Sequence, residues 1–174
     1  CRTPMDYMQY AEKRAISDLI EFTDRFHETK KIPPTIQQNE IEASYFPRLH
    51  TLTNGCINWD WDRDEILRFI CAFDEPYTGA HTRCTRHKEK LFFSKAFPVD
   101  QETYFHPYQY GLIYNKLGQK IYVCCKGGGL CIEHVFDQNR VDIIPQMRLG
   151  DRFFSTFEDL NFSRSSRVFY GSKK

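Results

Sequence analysis

Four side chains near residue 130 are of the types that bind zinc: Cys124, Cys125, Cys131 and His134. Neighbouring residues of a β-strand point to opposite faces, so Cys124 and Cys125 do not readily share one ion. If the glycines at 127–129 form a hairpin loop, Cys125 and Cys131 become cross-strand neighbours without the further ligands that zinc requires. We therefore interpret these residues as small buried hydrophobic side chains and predict no metal site.

Six histidines are scattered along the chain, and His106 is the most suggestive because it lies in the aromatic segment Tyr-Phe-His-Pro-Tyr at 104–108. None of the six has a serine or cysteine partner in a recognisable nucleophile motif, so a structural role is favoured for His106. The glycine run lacks the lysine-hydroxyl ending of a phosphate-binding loop. We predict no catalytic residue in this chain.

The densest group of aromatic, acidic and turn-forming residues lies between Gln38 and Ala80 and contains both tryptophans, Trp59 and Trp61. If this segment is extended, alternate residues share a side, and the two indoles are predicted to point the same way. Two interpretations stay open. The indoles pack against the helix that follows, or they line a cleft shared with a neighbouring domain.

Two helices are predicted from capping signals and periodicity. The first covers residues 4–29, with Thr3 as its cap, and is followed by a long polar connection over 30–56. The second covers 63–73 and begins after Asp62, which is followed three residues later by a glutamate. The apolar stripe of the first helix comprises Tyr7, Ala11, Ala15, Leu19, Phe22 and Phe26. If the partner of this stripe is missing, the stripe is exposed and the isolated chain is expected to aggregate.

From residue 80 onward the hydrophobic period changes to two, which predicts strands separated by turn signals. The predicted strands are 80–85, 90–97, 108–115, 120–126, 130–136 and 141–147. A short last helix begins at Thr156 with Asp159 three residues on, and a final strand is predicted at 167–170. The fold class is therefore α+β: an amino-terminal helix and linker, a short helix, and a small antiparallel, OB-like open β-barrel.

The bulk properties exclude some classes of function. The 174 residues carry a net charge of +1, and no apolar run approaches the roughly 18–20 residues that span a bilayer. A modest basic patch (Arg164, Arg167, Lys173 and Lys174) is interpreted as a solvated tail. Seven cysteines at irregular spacing indicate free thiols in a reducing compartment, so we expect a cytoplasmic protein without a membrane segment.

Several motifs carry a family resemblance. Residues 43–48 read Ala-Ser-Tyr-Phe-Pro-Arg, 57–61 read Ile-Asn-Trp-Asp-Trp, and 72–80 read Ala-Phe-Asp-Glu-Pro-Tyr-Thr-Gly-Ala. The aromatic segment at 104–114 and the Leu-Gly-Asp-Arg-Phe-Phe run at 149–154 extend the match. Together these motifs resemble the carboxy-terminal part of the tetrahydrofolate-dependent formyltransferases.

The resemblance implies an enzyme that moves a formyl group from N10-formyltetrahydrofolate to a primary amine. In that family the chemistry belongs to an upstream Rossmann-like domain with asparagine, histidine and aspartate in its active site, and these motifs are not in this sequence. Residues 1–36 are accordingly expected to be a helix and linker remaining from that domain, and residues 37–174 the barrel domain. The missing initiator methionine is interpreted in the same way, and the chain alone is predicted to be inactive.

The resemblance leaves the acceptor open between two branches. Sugar N-formyltransferases act on nucleotide-linked amino sugars, often as dimers, whereas methionyl-tRNA formyltransferase uses its barrel as a basic surface for tRNA. The balanced charge favours the sugar branch, because tRNA affinity depends on phosphate neutralisation. A non-catalytic dimerisation or binding module is the third reading. The residues expected to contact substrate in the intact enzyme are Gln38, Tyr45, Arg48 and Trp59.

Overall fold

The first helix, α1, is the longest element of the chain. A computed structural model describes residues 3–32, 34–100 and 103–167. Helix α1 spans Pro4–Thr29, as the sequence predicts, and begins with a reciprocal cap. The Asp6 amide donates to the Thr3 hydroxyl over 3.3 Å, and the Thr3 amide donates to the Asp6 carboxylate over 2.8 Å. The helix ends at Lys30, which adopts a left-handed conformation with φ of 53°.

No residue of α1 is buried, so the helix lies outside the hydrophobic core. One backbone hydrogen bond, from the Met5 amide to the Glu75 carbonyl, joins its first turn to the rest of the chain over 3.0 Å. The apolar stripe is exposed, as expected for a stripe without a partner: Tyr7, Leu19 and Phe22 retain 59, 63 and 43% of their accessible surface. In this segment a helix therefore forms without burying any of its apolar side chains.

The connection after α1 contains two short helical turns that the sequence did not predict. Residues Glu40–Glu42 form a 3₁₀ turn, and Thr51–Asn54 form a four-residue helix, α2. An element of four residues covers only about one helical turn, which is too short to show the i, i+3, i+4, i+7 pattern by which helices are recognised.

Helix α3, at Arg63–Ala72, supplies one wall of the core. Asp62 caps it through a capping box with Glu65, as predicted, and one face is buried through Ile66, Leu67, Ile70 and Cys71. That face packs against the second strand of the sheet. The helix ends one residue earlier than the predicted 63–73.

Six antiparallel strands form one curled, half-barrel sheet, which confirms the α+β fold with an open, OB-like barrel. The strands occur in the spatial order β3-β4-β5-β2-β1-β6. They are β1 (Ala80–Cys84), β2 (His87–Pro98), β3 (Ile113–Leu117), β4 (Lys120–Cys125), β5 (Gly128–Phe136) and β6 (Phe153–Phe154). A last helix, α4, spans Phe157–Ser165 with Thr156 as its cap, where the sequence predicted it.

Two strand predictions were wrong. Residues 141–147 form a single bridge between Asp142 and Phe136 and then a 3₁₀ turn at Ile144–Gln146. Pro145 cannot donate to a ladder, and the Asp142 carboxylate accepts from the Ile144 amide over 2.9 Å, so the chain turns. The strand expected at 108–115 begins only at Ile113, because Pro107–Gln109 form another 3₁₀ turn. The final strand predicted at 167–170 lies outside the described residues beyond Arg167.

The core lies between α3 and the concave face of the sheet. Its centre is aromatic: Phe93 and Phe153 meet edge to face with centroids 4.8 Å apart, and Trp59 stacks on Phe153 at 5.6 Å. Among the helices of the described residues, none is long and apolar enough to cross a membrane.

Candidate functional site

A cleft of about 360 Å³ opens where the linker passes over the barrel and meets α4. Residues 45–49 form one wall, the carboxy-terminal half of α4 forms the other, and aromatic side chains of the barrel domain lie at its base. The cleft is defined by its lining residues: Tyr45, Pro47, Arg48, Leu49, Asn54, Cys56, Trp61, Phe69, Leu160, Ser163, Arg164, Ser166 and Arg167.

The charge of this cleft is of one sign. Three arginines, Arg48, Arg164 and Arg167, line it, and the described lining contains no aspartate or glutamate. Arg48 comes from the linker and the other two from the end of α4 and the residues after it, so more than one hundred residues separate the two sources in sequence. The cleft is therefore a local positive region on a chain whose net charge is only +1.

Aromatic rings complete the cleft. Trp61 is half-buried and meets Phe69 edge to face with ring centroids 5.1 Å apart, which fixes the indole on α3. Tyr45 on the linker is 85% exposed. The site thus combines a held indole, an open phenol ring and three guanidinium groups.

Helix α4 is held against the sheet by a bidentate ion pair. The Arg83 guanidinium of β1 contacts both carboxylate oxygens of Asp159, with Nη2 donating to Oδ1 over 3.0 Å. The hydrogen bonds from Arg83 lower the pKa of Asp159 to about 2, although partial burial opposes this shift. The Ser155 hydroxyl donates to the Ile57 carbonyl over 2.6 Å and fixes the chain just before the helix.

The end of α4 is held by Asn54, which is 8% exposed. Its Nδ2 donates to the Ser163 carbonyl over 2.8 Å and to the Ser166 carbonyl over 3.2 Å. Its Oδ1 accepts from the His50 amide over 2.9 Å. Asn54 of α2 therefore joins the linker to the last turn of α4, and these two segments carry Arg48 and Arg164.

Comparison with known proteins identifies the barrel. Residues 51–143, more than half of the chain, match the family described as Formyl transferase, C-terminal domain. The chain belongs to the formyltransferase carboxy-terminal domain family. A solved structure with a similar fold is that of a HypX variant from Aquifex aeolicus, at 17% sequence identity and a TM-score of 0.54. The match covers 71% of this chain and 20% of that one, so the chain spans about a fifth of the length of HypX.

Two of the four predicted substrate-contacting residues of this formyltransferase domain lie in the cleft, namely Tyr45 and Arg48. Gln38 is exposed on the linker and is not among the lining residues. Arg164, Arg167 and Asn54 are not predicted as site residues by the sequence, and Trp61 is predicted only as one of two indoles that either pack on the following helix or line a cleft. The sequence signal for the two distal arginines is the basic patch at the end of the chain, which by itself indicates only a solvated tail.

The two tryptophans do not share a side, contrary to the sequence-based prediction. The chain turns between them, with the Trp61 amide donating to the Asn58 carbonyl over 3.3 Å. Trp59 is 5% exposed and its indole nitrogen donates to the Thr82 hydroxyl over 2.9 Å, so its ring is a core component. Trp61 is the tryptophan at the cleft. The expected ligand contacts of Gln38, Tyr45, Arg48 and Trp59 stay predictions.

The cysteines of the β4–β5 hairpin do not form the cross-strand pair considered from the sequence. Lys126 and Gly127 make the turn, Cys125 lies opposite Gly128, and Cys131 lies opposite Tyr122. Burial raises the pKa of Cys125 to about 12 and that of Cys124 to about 11, so both thiols are neutral at pH 7. Within the described ranges, no group of three or more histidine, cysteine, aspartate or glutamate side chains is placed to hold a metal ion.

His106 has a structural contact in this domain. Its Nδ1 accepts from the Tyr108 amide over 3.2 Å and its own amide donates to the Gln109 side chain over 2.7 Å, which caps the 3₁₀ turn at Pro107–Gln109. His81 on strand β1, in contrast, is buried, and burial together with the charge of Lys90 lowers its pKa to about 4.

Proposed function

We propose that this chain is the carboxy-terminal part of an N-formyltransferase that acts on the amine of a nucleotide-linked amino sugar. The family assignment supplies the formyltransferase part of this statement. The observation that supports the acceptor is the cleft, in which three arginines and two accessible aromatic rings surround a space of about 360 Å³. A nucleotide-linked sugar offers the matching groups, a diphosphate and a flat base.

The distribution of charge favours this acceptor over tRNA. Binding tRNA through many phosphates requires an extended basic surface, because each neutralised phosphate releases counterions and adds to the affinity. This chain has 24 basic and 23 acidic residues, so it carries almost no net charge. Three of its arginines line one cleft whose volume is that of a small-molecule site. A confined positive region suits one or two phosphates.

The formyl-transfer step is assigned to a domain upstream of this sequence. The described lining of the cleft has no histidine or carboxylate, and burial raises the pKa of Cys56, its one thiol. No proton acceptor for neutral pH is therefore in place beside the positive groups. These residues do not fit a site for formyl activation, so N10-formyltetrahydrofolate, the donor that this family generally uses, is assigned to the upstream domain.

The apolar stripe of α1 is proposed to pack against that upstream domain. The helix has no buried residue here, and Phe22 and Phe26 keep 43 and 40% of their surface. Such a stripe is covered in a stable protein by another domain or by a second copy of the chain. Homodimer formation through the same stripe is the competing outcome.

The activity is tested with the intact coding region, including everything upstream of this sequence. We expect the intact enzyme to formylate nucleotide-linked amino sugars in the presence of N10-formyltetrahydrofolate, and the 174-residue chain alone to transfer nothing. Formylation of methionyl-tRNA with the amino sugars left untouched would reverse the choice of acceptor. One-carbon transfer by the chain alone would contradict the placement of the reaction.

The role of the linker arginine is tested in the same intact enzyme by Arg48→Ala. Removing a planar guanidinium that forms two parallel hydrogen bonds to a phosphate is expected to raise KM for the acceptor about tenfold with kcat little changed. Arg148→Ala is the matched control, because Arg148 is exposed and does not line the cleft. Equal KM values for Arg48→Ala and the parent enzyme would remove Arg48 from the acceptor site.

A further inference from the structure

We infer that a second cleft, on the outer face of the sheet, binds a small carboxylate ligand with an apolar body. This outer cleft has a volume of about 420 Å³, and its lining includes Leu52, Thr78, Lys90, Phe92, Asp137 and Arg140. Among the described residues, none lines both the outer cleft and the cleft between the linker and α4. The inference therefore goes beyond the proposed function and does not depend on it.

The outer cleft is formed by parts of the chain that are distant in sequence. Strand β2 contributes the floor: Phe93 points into the core, so the neighbouring Phe92 points to the opposite face of the sheet. Leu52 of α2 and the loop after β5, which carries Asp137 and Arg140, form the sides. Phe92 and Leu52 thus provide an apolar surface inside a cleft whose other lining residues are polar.

Two cations line the outer cleft without a carboxylate partner. Within residues 3–32, 34–100 and 103–167, none of the ion pairs includes Lys90 or Arg140. The Arg140 guanidinium donates to the Thr78 carbonyl over 3.5 Å and lies 5.8 Å from the centre of the Phe136 ring. A guanidinium has five donors, so these contacts leave several of them for a ligand.

The carboxylate of Asp137 also lines the outer cleft, but it is engaged by the backbone. Its Oδ1 accepts from the Asn139 amide over 2.8 Å and from the Val141 amide over 2.9 Å. The described lining thus carries two positive charges and one negative charge, which is a formal excess of one positive charge. A ligand with one negative charge balances this excess, whereas a diphosphate would exceed it.

A buried histidine lies beside Phe92 at the floor. His81 is the register partner of Phe92, meets its ring edge to face with centroids 5.9 Å apart, and is only 2% exposed. Burial is the main cause of the low pKa of His81; the charge of Lys90 lowers it further, and a hydrogen bond with the Leu52 backbone raises it. Two lining residues of the outer cleft are therefore neighbours of this ring.

The Nε2 atom of His81 has no hydrogen-bond partner in the part of the chain that the structure describes, which is rare for a buried polar atom. In the tautomer that carries its proton on Nε2, this atom is a donor, and a carboxylate oxygen supplies the acceptor. Leu52 covers this side of the ring on a four-residue helix and is 51% exposed, so it is the side chain that moves aside for the contact.

The volume and the apolar floor define the rest of the ligand. A volume of about 420 Å³ lies in the range of roughly 300–1,000 Å³ for small-molecule pockets. The surfaces of Phe92 and Leu52 are covered most favourably by an apolar group, because both partners then leave water. An inorganic anion would contact the cations but leave this surface hydrated. The ligand class is therefore an aromatic or aliphatic monocarboxylate.

The experiment is an NMR titration of the 174-residue chain at pH 7 with 4-phenylbutyrate as the probe. Three matched compounds separate the contributions: 4-phenylbutanamide has no charge, 4-phenylbutylamine has the opposite charge, and acetate lacks the apolar body. We expect 4-phenylbutyrate to cause saturable shifts of the His81 ring signals and of the Thr78 and Gln138 amides. We also expect it to bind at least about tenfold more tightly than each matched compound.

The two cations are tested together by the double variant Lys90→Gln/Arg140→Gln. It is expected to weaken binding of 4-phenylbutyrate at least about tenfold and to reduce its advantage over the amide to less than about twofold. Lys88→Gln is the matched control, because Lys88 is exposed on the same strand and does not line the outer cleft; it should leave binding unchanged. Circular dichroism of each variant establishes that the barrel is folded.

Saturation-transfer NMR on the ligand signals gives the same comparison in the intact enzyme, where association of isolated chains through α1 has no part. Absence of saturable binding to the folded parent protein overturns the inference, and so does undiminished binding by the double variant. Equal affinity for the acid and the amine contradicts the role of the cations. Shifts confined to the cleft between the linker and α4 would place the probe at the wrong site. None of these results bears on the proposed function, which is tested by formyl transfer.

Discussion

Helices α1 and α3 begin with the same sequence signals, but the apolar face of α1 is exposed and that of α3 is buried. Both have a capping box and an apolar stripe with spacings of three and four residues. Yet α1, with 26 residues, buries none of them, while α3, with ten, buries four against the sheet. A local pattern predicts that a helix forms and which face is apolar, but whether that face has a partner depends on the rest of the molecule.

The difference has a functional meaning. The contacts of α3 are internal, so this helix supports the barrel and fixes Trp61 through Phe69. The exposed stripe of α1 is a surface for something else, which fits its proposed packing against a catalytic domain. Between the two, the linker carries Tyr45 and Arg48 to the cleft. The chain thus divides into a part that folds on itself and a part that we propose joins it to another domain.

The largest predicted effect comes from truncating the same residue type in both helices. Ile70 in α3 is fully buried, and Ile70→Ala is expected to lower the free energy of unfolding by about 2–5 kcal/mol through lost burial and a cavity. Ile20 in α1 is 57% exposed, and Ile20→Ala is expected to change the free energy of unfolding by less than about 0.5 kcal/mol. Urea unfolding of both variants measures the contrast. Equal losses would mean that α1 packs on the barrel.

The second prediction concerns the stability of the barrel at low pH, which depends on the protonation of His81. Burial lowers the folded-state pKa of His81 to about 4, so the unfolded chain takes up the proton first, near the ordinary value of about 6.5. Stability is therefore complete above about pH 6.5 and falls as the pH is lowered toward 4, by up to about 3 kcal/mol. Urea midpoints measured between pH 7 and 4 test this. The variant His81→Gln should show a flatter profile, and an unchanged slope would exclude His81 as the cause.

A third, smaller effect is expected from the ion pair that holds α4. Asp159→Asn removes the charge that Arg83 contacts, and because Arg83 is 37% exposed the expected loss of stability is only about 1 kcal/mol. The loss is local: amide hydrogens of α4 should exchange faster, while those of the central strand β5 stay protected. Such loosening should also raise KM for the proposed acceptor in the intact enzyme, because α4 and the residues after it carry two of the three arginines of the cleft. Uniform acceleration over the whole barrel would instead indicate a global role for the pair.

The elements that the sequence predicts well are those whose signals are local. Caps at Thr3, Asp62 and Thr156 mark three helices at their observed starts. The strand predicted over 141–147 was wrong because it rested on the alternation of apolar residues. Pro145 and the Asp142 side chain instead form a turn there. Helix α2 and strand β6 were missed because elements of two to four residues carry almost no periodic signal.

The candidate site was predicted only in part, for a different reason. Tyr45 and Arg48 stand out in a motif, but the other wall of the cleft lies more than one hundred residues away in sequence. The contact that brings the walls together, from Asn54 to the carbonyls of Ser163 and Ser166, depends on backbone atoms that every residue has. No pattern of side chains in the sequence therefore predicts this contact. Trp61 lines the cleft in place of the predicted Trp59 because the chain turns between the two residues.

The smallest effect on stability is expected where the effect on association is clearest. Phe22→Asp places an acid in the apolar stripe of α1, at a side chain that is 43% exposed, and should change the free energy of unfolding by less than about 0.5 kcal/mol. It should nevertheless reduce concentration-dependent self-association in sizing chromatography, because the exposed stripe is the apolar surface through which we expect isolated chains to associate. Gln9→Asp is the matched control, since it makes the same change of charge on an exposed position of the opposite side of the helix. If both variants associate like the parent chain, the chains do not associate through the stripe, and the exposure of α1 no longer indicates an interaction surface.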